Sequence, residues 1–584
     1  MSIIKEVENN LIEVFKDCGY EIERLQFSVS NRVNLGEYQI NNCMNLAKIY
    51  HKSPLVIAEE IKSKLEKDSN YTNINIAGAG FINISFSDKF LIESLNRIIE
   101  DINNNIDKED YKKIILDYGG ANIAKTLHVG HLRSANIGEA LKRLSKTLGY
   151  EVISDVHFGD IGRQSGMVIS EIKKRHPQLD YFNDNYHGDY EKIDFTITEE
   201  QLGEIYPIAS LAAKNDEIRM EEVREITAKL EEGHKGYTAL WNKIKKVSIE
   251  DITKIYKQIN TSFDLLEGES DCYPYMEKML KYLKENNYLE SSQNALVIDI
   301  KKDTDTSPMP PLIVVKSNNS TLYATRELAT IYSRVTRFHP DEIWYLTDSR
   351  QSLYFEQVFR AAKKTKLAPP NLGLYYYGFG TMNNKDKTPF KTRDGEVMSL
   401  KELIELVKNE VRKKINISVV KENNVEKTTE IIAISTLKYA DFLPFRTTDY
   451  IFDISKFSDL EGKTAPYLLY STVRMKSLLK KAQNENITYK ELLDCSNLQV
   501  RKIALTLLEF PNILKHSLQI KSLNEIAEYI YKLTSTYNNF YAYNKILTEE
   551  NTQKKASYLA ITKLVYDTNL MIFNILGMEV PEKM

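Results

Sequence analysis

Ile114-Ile115-Leu116 precedes His128-Val129-Gly130-His131, after which Ile137, Leu141 and Leu144 recur at helical spacing. This order predicts a strand, a turn and a helix that begins at the histidines. Imidazole N–H groups at a helix N-terminus can donate hydrogen bonds to a phosphate, and the helix dipole favours an anion there. The segment therefore predicts a triphosphate site, although the four residues alone are as consistent with a structural histidine pair.

A second strand is predicted directly after this helix, at Glu151-Val152-Ile153-Ser154-Asp155-Val156. A strand-helix-strand unit is typical of a doubly wound parallel sheet, in which nucleotides bind beyond the carboxyl ends of the strands. We expect a mostly helical insertion over about residues 170–295, after which the sheet resumes. The runs expected to resume it are Leu296-Val297-Ile298, Leu312-Ile313-Val314-Val315, Ile343-Trp344-Tyr345-Leu346 and Leu374-Tyr375-Tyr376-Tyr377.

The composition is that of a folded protein with several domains. The chain has 584 residues, 42% of them hydrophobic and 27% charged, which is too long for one core. A net charge of −3 means that any nucleic acid must be bound by local basic patches. No apolar run reaches the roughly eighteen residues of a membrane span, so we expect a cytoplasmic protein without membrane contact.

The cysteines are widely separated in the sequence. Cys18, Cys43, Cys272 and Cys495 form no Cys-x-x-Cys pair and no cluster with histidine. We therefore predict no disulfide, no zinc and no metal ion held by the protein itself.

The sequence divides into four predicted regions. Residues 1–105 suggest a small α+β domain, and residues 106–400 a catalytic α/β domain. Residues 401–450 form a connecting region, and residues 451–584 show the amphipathic periodicity of an all-α bundle. This last region has a mild basic excess and many tyrosines, which suit RNA stacking but by themselves fit a plain bundle surface better.

Around the histidines the chain resembles the arginyl-tRNA synthetases, a family of class I aminoacyl-tRNA synthetases. Asn122-Ile123-Ala124-Lys125-Thr126-Leu127-His128-Val129-Gly130-His131 matches the family signature Asn-x-Ala-Lys-x-x-His-x-Gly-His. The similarity extends over essentially the full length. It implies a Rossmann-like doubly wound parallel catalytic domain with insertions, a small N-terminal α+β domain and an all-α C-terminal helical bundle.

The resemblance also implies a reaction. ATP and L-arginine would form arginyl-adenylate, and the arginyl group would pass to tRNA(Arg), releasing AMP and diphosphate. The ATP site would include Lys125, His128, Gly130 and His131, with Mg²⁺ bound to the nucleotide. Lys391 and Arg393 lie in Pro389-Phe390-Lys391-Thr392-Arg393-Asp394-Gly395, which partly matches the second phosphate loop of the class. A solvated turn is the alternative, because Arg393-Asp394-Gly395 has residues typical of turns.

An arginine substrate needs acceptors for the five N–H donors of its guanidinium. The resemblance places Glu269, Glu327 and Tyr323 at the guanidinium, and Asn122 and Gln351 at the α-amino and α-carboxylate groups. Taken singly, each acid is more typical of an exposed helix surface. The family usually has aspartate where Glu327 stands, so a paralogue that activates another amino acid, or passes arginine to another acceptor, is the alternative.

The remaining matches concern tRNA. Phe81 and Asn83 match the aromatic-x-Asn pair that contacts the D-loop in the family, although a core aromatic and a turn asparagine fit them about as well. The resemblance assigns further tRNA contacts to Tyr467, Tyr470 and Arg474, which share one helical face, and to the chain end at Met584. We expect the protein to be a monomer.

Overall fold

The N-terminal unit is a small α+β domain. The structure, a computed structural model, describes residues 1–32, 34–316, 322–390, 397–414 and 424–584. The elements of this unit are α1 (Ile3–Asp17), β1 (Phe27–Val29), β2 (Tyr38–Ile40), α2 (Cys43–Tyr50), α3 (Pro54–Leu65), β3 (Tyr71–Ala77), β4 (Phe81–Phe86) and α4 (Asp88–Glu100). The strands pair antiparallel in the order β1-β2-β4-β3. β3 and β4 form a hairpin, joined where Gly78 takes a φ of +57°.

The catalytic unit follows, with its insertion between two halves of a parallel sheet. The first half and the insertion comprise β5 (Lys113–Tyr118), α5 (Val129–Thr147), β6 (Glu151–Asp155), α6 (Arg163–Arg175), α7 (Glu199–Asn215), α8 (Glu217–Glu231), α9 (Lys235–Gln258), α10 (Tyr273–Glu285), β7 (Glu290–Ser292), β8 (Ala295–Ile298) and β9 (Leu312–Val315). The second half comprises α11 (Tyr323–Phe338), β10 (Glu342–Leu346), α12 (Ser352–Lys364) and β11 (Gly373–Tyr376).

The parallel sheet has the order β11-β10-β5-β6, which confirms the predicted doubly wound fold. Ile114, Ile115 and Leu116 are fully buried, as expected of a strand covered on both faces. The prediction was wrong for β8 and β9, which form a separate antiparallel sheet with β7 in the order β7-β8-β9. The chain between β8 and β9 contains no crossover helix, and parallel strands require one.

The rest of the chain is mainly helical. It comprises β12 (Met382–Asn383), α13 (Leu400–Lys414), α14 (Val425–Phe442), β13 (Tyr450–Ile451), α15 (Ile454–Phe457), α16 (Ala465–Asn484), α17 (Leu498–Leu508), α18 (Phe510–Ile520), α19 (Asn524–Tyr543) and α20 (Thr552–Ile575). The helices from α16 to α20 confirm the predicted C-terminal bundle. The exact domain bounds stay predictions.

Buried polar contacts fix the start of α5 in the core. The Ser134 hydroxyl donates to the Leu346 carbonyl at 2.9 Å and accepts from Gly119 N at 2.8 Å, which joins α5 to the carboxyl ends of β5 and β10. The buried Arg133 donates from Nε to Asp441 in α14 at 2.7 Å. A buried pair of this kind is costly to break, since either charge alone would be unsatisfied. The first turn of α5 is therefore held rigidly.

All four cysteines are free thiols, as predicted. Cys43, Cys272 and Cys495 are buried and Cys18 is half-buried. Among the described helices, none combines the length and the apolar character that crossing a bilayer requires.

Candidate active site

The histidines cap α5 with each other's rings. His128 is the N-cap residue: its Nδ1 accepts from Gly130 N at 3.0 Å, and its own N donates to His131 Nδ1 at 3.0 Å. A Cβ at Gly130 would lie 2.8 Å from the His128 ring, so only glycine fits here. Because both Nδ1 atoms accept hydrogen bonds, both rings carry their hydrogen on Nε2.

Both imidazoles are neutral donors. Burial and then the neighbouring His128 lower the pKa of His131 to about 3. Burial and the nearby Lys125 lower the pKa of His128 as well. At neutral pH the helix N-terminus therefore presents Nε2–H groups without added charge, which suits hydrogen bonding to phosphate oxygens.

Lys125 lies in the same turn, which needs an unusual backbone at Ala124. Ala124 has a φ of +60° and donates its N–H to Ser248 Oγ in α9 at 3.1 Å. The Lys125 ammonium lies 4.4 Å from the centroid of the Tyr206 ring in α7. It thus sits between the signature turn and the insertion, and its contact with the α-phosphate stays a prediction.

The other two predicted loop cations, Lys391 and Arg393, lie outside the described residues. The residues flanking that loop are held together, because Met398 N donates to the Phe390 carbonyl at 3.1 Å.

Three chain segments lie side by side beyond the carboxyl ends of β5 and β6. Ile123 N donates to the Gly159 carbonyl at 3.0 Å, and Glu269 N donates to the Phe158 carbonyl at 2.9 Å. This ladder brings Asn122 beside Gly159, and it places Glu269 on the next segment. Two of the predicted arginine-binding residues therefore share one edge of the sheet.

Gly159 is a position where a side chain has no room. A Cβ there would lie 2.3 Å from Asn122 Oδ1. We expect Gly159→Ala to displace the Asn122 amide and to raise KM for the amino acid by about tenfold, the cost of one misplaced hydrogen bond to a charged group. Steady-state kinetics would measure this. Gly120→Ala is the matched control, since nothing lies within 4 Å of its Cβ; equal effects of the two substitutions would contradict the prediction.

Glu269 already binds a guanidinium of the protein itself. Its Oε2 accepts from Arg326 Nε at 2.7 Å, and the Arg326 guanidinium carbon lies 4.6 Å from the Tyr323 ring centroid. Burial raises the pKa of Glu269, and the Arg326 charge opposes that effect. Arg326 was not predicted from the sequence. Its position three residues after Tyr323 places the two side chains on one helical face, and this could have indicated it.

Glu327 is the unmatched acceptor. It lies one turn into α11, half-buried, and its Oε1 is buried without a hydrogen-bond partner among the described residues. Burial raises its pKa, and the nearby carboxylates of Asp117 and Glu269 add to that effect while His157 opposes it. The predicted carboxylates Glu269 and Glu327 are therefore neighbours, as the resemblance requires. Glu269 is paired with Arg326, whereas Glu327 Oε1 has no partner among the described residues.

A buried charge network lies beneath Glu327. Arg334 Nη2 donates to Asp117 and to Asp155, each at 2.6 Å. Burial disfavours a charged imidazole at His157, but Asp155 and Asp117 outweigh it and raise the pKa of His157 to about 9. Asp117, Asp155 and His157 are close enough to ligate a metal ion. The Arg334 guanidinium and the protonated His157 together already balance the two carboxylates, so this cluster fits a structural role better.

Gln351, which was predicted, and Tyr354, which was not, lie at the start of α12. Gln351 ends a short 3₁₀ turn just before α12 and is exposed, with no hydrogen bond to its side chain within the described ranges. Tyr354 lies one turn later, and Glu327 and Glu269 are close enough to raise its pKa well above the usual value, after the larger effect of burial. Tyr354 therefore lies near the two predicted guanidinium carboxylates, a position that the sequence did not indicate.

The two predicted N-terminal tRNA residues differ in accessibility. Phe81 is half-buried at the start of β4. Asn83 is fully buried, and its Oδ1 accepts from Gln39 Nε2 at 3.0 Å. This differs from our expectation of a contact with a tRNA base. The Asn83 amide is hydrogen-bonded between β2 and β4 and has no access to a base in this structure.

The C-terminal tRNA residues lie on one face of α16, as expected. Tyr470 is exposed, whereas the Tyr467 hydroxyl accepts from Asn538 Nδ2 at 2.8 Å. The Arg474 guanidinium lies 4.4 Å from the Tyr541 ring centroid and 5.9 Å from that of Tyr470. Met584 is half-buried against the core. Tyr470 is thus accessible, whereas Arg474 is half-buried beside it and donates from Nη2 to the Asn538 side chain.

Comparisons with known families agree with this architecture. Residues 94–454 match "tRNA synthetases class I (R), catalytic domain", residues 468–584 match "DALR anticodon binding domain", and residues 1–86 match "Arginyl tRNA synthetase N terminal domain". The chain belongs to the arginyl-tRNA synthetase family. The arginine–tRNA ligases of Alkaliphilus oremlandii and Agathobacter rectalis are 43% and 39% identical to it, over the full length of both chains in each case.

Solved structures of the family have the same fold. The arginyl-tRNA synthetase of Plasmodium falciparum superposes with a TM-score of 0.81 at 25% identity, and each chain is covered completely. The Thermus thermophilus enzyme gives a TM-score of 0.79 at 19% identity with complete coverage, which bears on the fold alone.

Proposed function

We propose that the protein attaches L-arginine to tRNA(Arg) in two steps, through arginyl-adenylate, with release of AMP and diphosphate. The observation that carries this is Glu327, whose buried Oε1 has no hydrogen-bond partner among the described residues, near Glu269, which pairs with Arg326 at the sheet edge that the signature turn also joins. Its membership of a class I ligase family supports ATP as the second substrate.

Glu327 forms no ion pair with the described residues. Arg326 pairs with Glu269, and Arg334 with the protonated His157 balances Asp117 and Asp155, so an ionised Glu327 would be left to match one cation. The arginine guanidinium supplies the matching positive charge through a planar set of N–H donors. The lysine ammonium is a point charge, and citrulline is neutral. Sites that must pair a buried polar group reject analogues by up to roughly 10⁴-fold. This charge balance supports arginine despite glutamate in place of the usual aspartate.

Adenylate formation joins two anions. The arginine α-carboxylate attacks the α-phosphorus of ATP, and charge builds up on the phosphate oxygens. The Nε2–H groups of His128 and His131 are fixed by the reciprocal cap, so they need no reorganisation to donate there. We place Lys125, Lys391 and Arg393 at the phosphates as the cationic partners. Mg²⁺ bound to ATP would neutralise the diphosphate.

We place the α-amino and α-carboxylate groups at Asn122 and Gln351, since Asn122 lies in the signature turn and Gln351 precedes α12. Contacts with tRNA are assigned to Phe81, Tyr467, Tyr470, Arg474 and Met584. The exposed Tyr470 beside Arg474 supports this, because an aromatic ring and a cation suit base stacking. We expect the enzyme to act as a monomer in the cytoplasm.

Charging of unfractionated tRNA with each of the twenty amino acids tests the proposal. Arginine alone should be attached, in an ATP-dependent reaction. Attachment of another amino acid, or none with arginine, would overturn it and favour the divergent paralogue.

A further inference from the structure

Lys401 binds carboxylates from two different helices of the insertion. Its Nζ lies 2.7 Å from both oxygens of Glu199, the first residue of α7, and 2.9 Å from Asp251 Oδ1 in α9. Only 22% of the Glu199 side chain and 12% of the Asp251 side chain are exposed. These ion pairs are therefore partly shielded from solvent and screened less than surface pairs.

The backbone beside Lys401 pairs with the signature turn. Leu400 N donates to the Leu127 carbonyl at 2.8 Å, and Val129 N donates to the Met398 carbonyl at 3.2 Å. The start of α13 is thus hydrogen-bonded to the signature backbone on both sides of the first histidine. A shift of Lys401 would move that backbone as well.

The same insertion helices also contact the signature turn directly. Tyr206 lies under the Lys125 ammonium, two turns along α7 from Glu199 and on the same helical face. Ser248, one turn before Asp251 in α9, accepts from Ala124 N. Both helices therefore present one side to the signature turn and to Lys401.

We propose that Lys401, with Glu199 and Asp251, is a positioning residue for ATP. It fixes α13 and the signature turn to the insertion, and so sets the position of the signature turn that would bind the phosphates. The proposal rests on the proposed function, because it concerns the ATP of that reaction.

The cluster also has a charge that changes near neutral pH. Burial and the adjacent Asp251 raise the pKa of Glu199 to about 7, although Lys401 opposes them. Lys125 lines the same small cavity as Glu199 and Asp251, the Glu200 carboxylate lies near Lys401, and Lys254 lies near Glu200. Below that pKa Glu199 is protonated and forms a neutral group with Asp251 and Lys401. Above it the cluster gains a negative charge beside the ATP site, so KM for ATP should rise with pH.

Lys401→Met tests the positioning role. We expect KM for ATP in charging to rise on the order of tenfold, as small misplacements of reacting groups do, with KM for arginine changed less than twofold. Lys401→Arg should restore most of the ATP affinity. Lys408→Met is the matched control, since Lys408 lies in the same helix and binds Glu405 and Glu426, each at 2.7 Å. Equal effects of Lys401→Met and Lys408→Met, or equal rises in both KM values, would overturn the proposal.

Glu199→Gln tests the charge. Wild-type KM for ATP should rise roughly threefold between pH 6.5 and 8, as a new unit charge several Å from the phosphates would cause. In Glu199→Gln this rise should disappear, and an unchanged pH profile would refute the assignment. Wild-type charging with arginine, measured first, tests the proposed function separately, so failure of one is distinguishable from failure of the other.

Discussion

His131→Ala is expected to lower kcat for arginine charging by on the order of 10²-fold. The substitution removes an Nε2–H that donates to phosphate oxygens as charge develops, and the loss of one fixed donor of that kind typically costs this much. KM for arginine should change little, because the guanidinium pocket is built from other segments. Rapid-quench or steady-state aminoacylation would measure the effect.

The control separates catalysis from helix capping. His131 Nδ1 accepts from His128 N, and an asparagine Oδ1 can take over that acceptor without supplying the Nε2 donor. His131→Asn should therefore keep the melting temperature of the wild type and lose as much activity as His131→Ala. If His131→Asn retained full turnover, the phosphate-donor role would be wrong and the histidine would serve only as a cap.

Glu327→Gln is expected to raise KM for arginine by about 10²-fold. The unpartnered Oε1 would otherwise accept from the substrate guanidinium, and a hydrogen bond between charged groups contributes about 1.5–3 kcal/mol. KM for ATP should stay within about twofold, since the signature histidines are untouched. Steady-state charging with arginine and ATP varied in turn would measure the two KM values separately.

Glu327→Asp provides the matched control for this position. It keeps the charge and introduces the residue that the family usually has, so KM for arginine should stay within about tenfold of the wild type, even though the carboxylate retreats by one methylene. Unchanged arginine binding in Glu327→Gln, or an equal loss for ATP, would contradict the role of Glu327.

The sequence was sufficient for the parts of the fold that depend on local patterns. The run from Ile114 to Leu116 predicted a buried strand because its apolar residues are continuous, and the histidine motif marked the start of α5. It did not show that β8 and β9 pair antiparallel, because a short apolar run carries no information about strand direction.

The site could be predicted only in part. Glu269 and Glu327 came from the resemblance, and the structure brings them together. Arg326 and Arg334 were not predicted, because an arginine inside an amphipathic helix looks like an exposed charge until its partners are known. The burial of Asn83 was also not predicted, because the alternation of residues along a strand does not show which polar side chains are buried and hydrogen-bonded within the protein.

Everything proposed for substrate choice depends on Glu327 holding the guanidinium of the substrate. A crystal structure with arginine and a non-hydrolysable ATP analogue tests it most directly. We predict a guanidinium nitrogen about 2.7–2.9 Å from Glu327 Oε1, with Arg326 still paired to Glu269 and the phosphates beside His128 and His131. A guanidinium bound elsewhere, with Glu327 Oε1 left without a partner, would contradict the account.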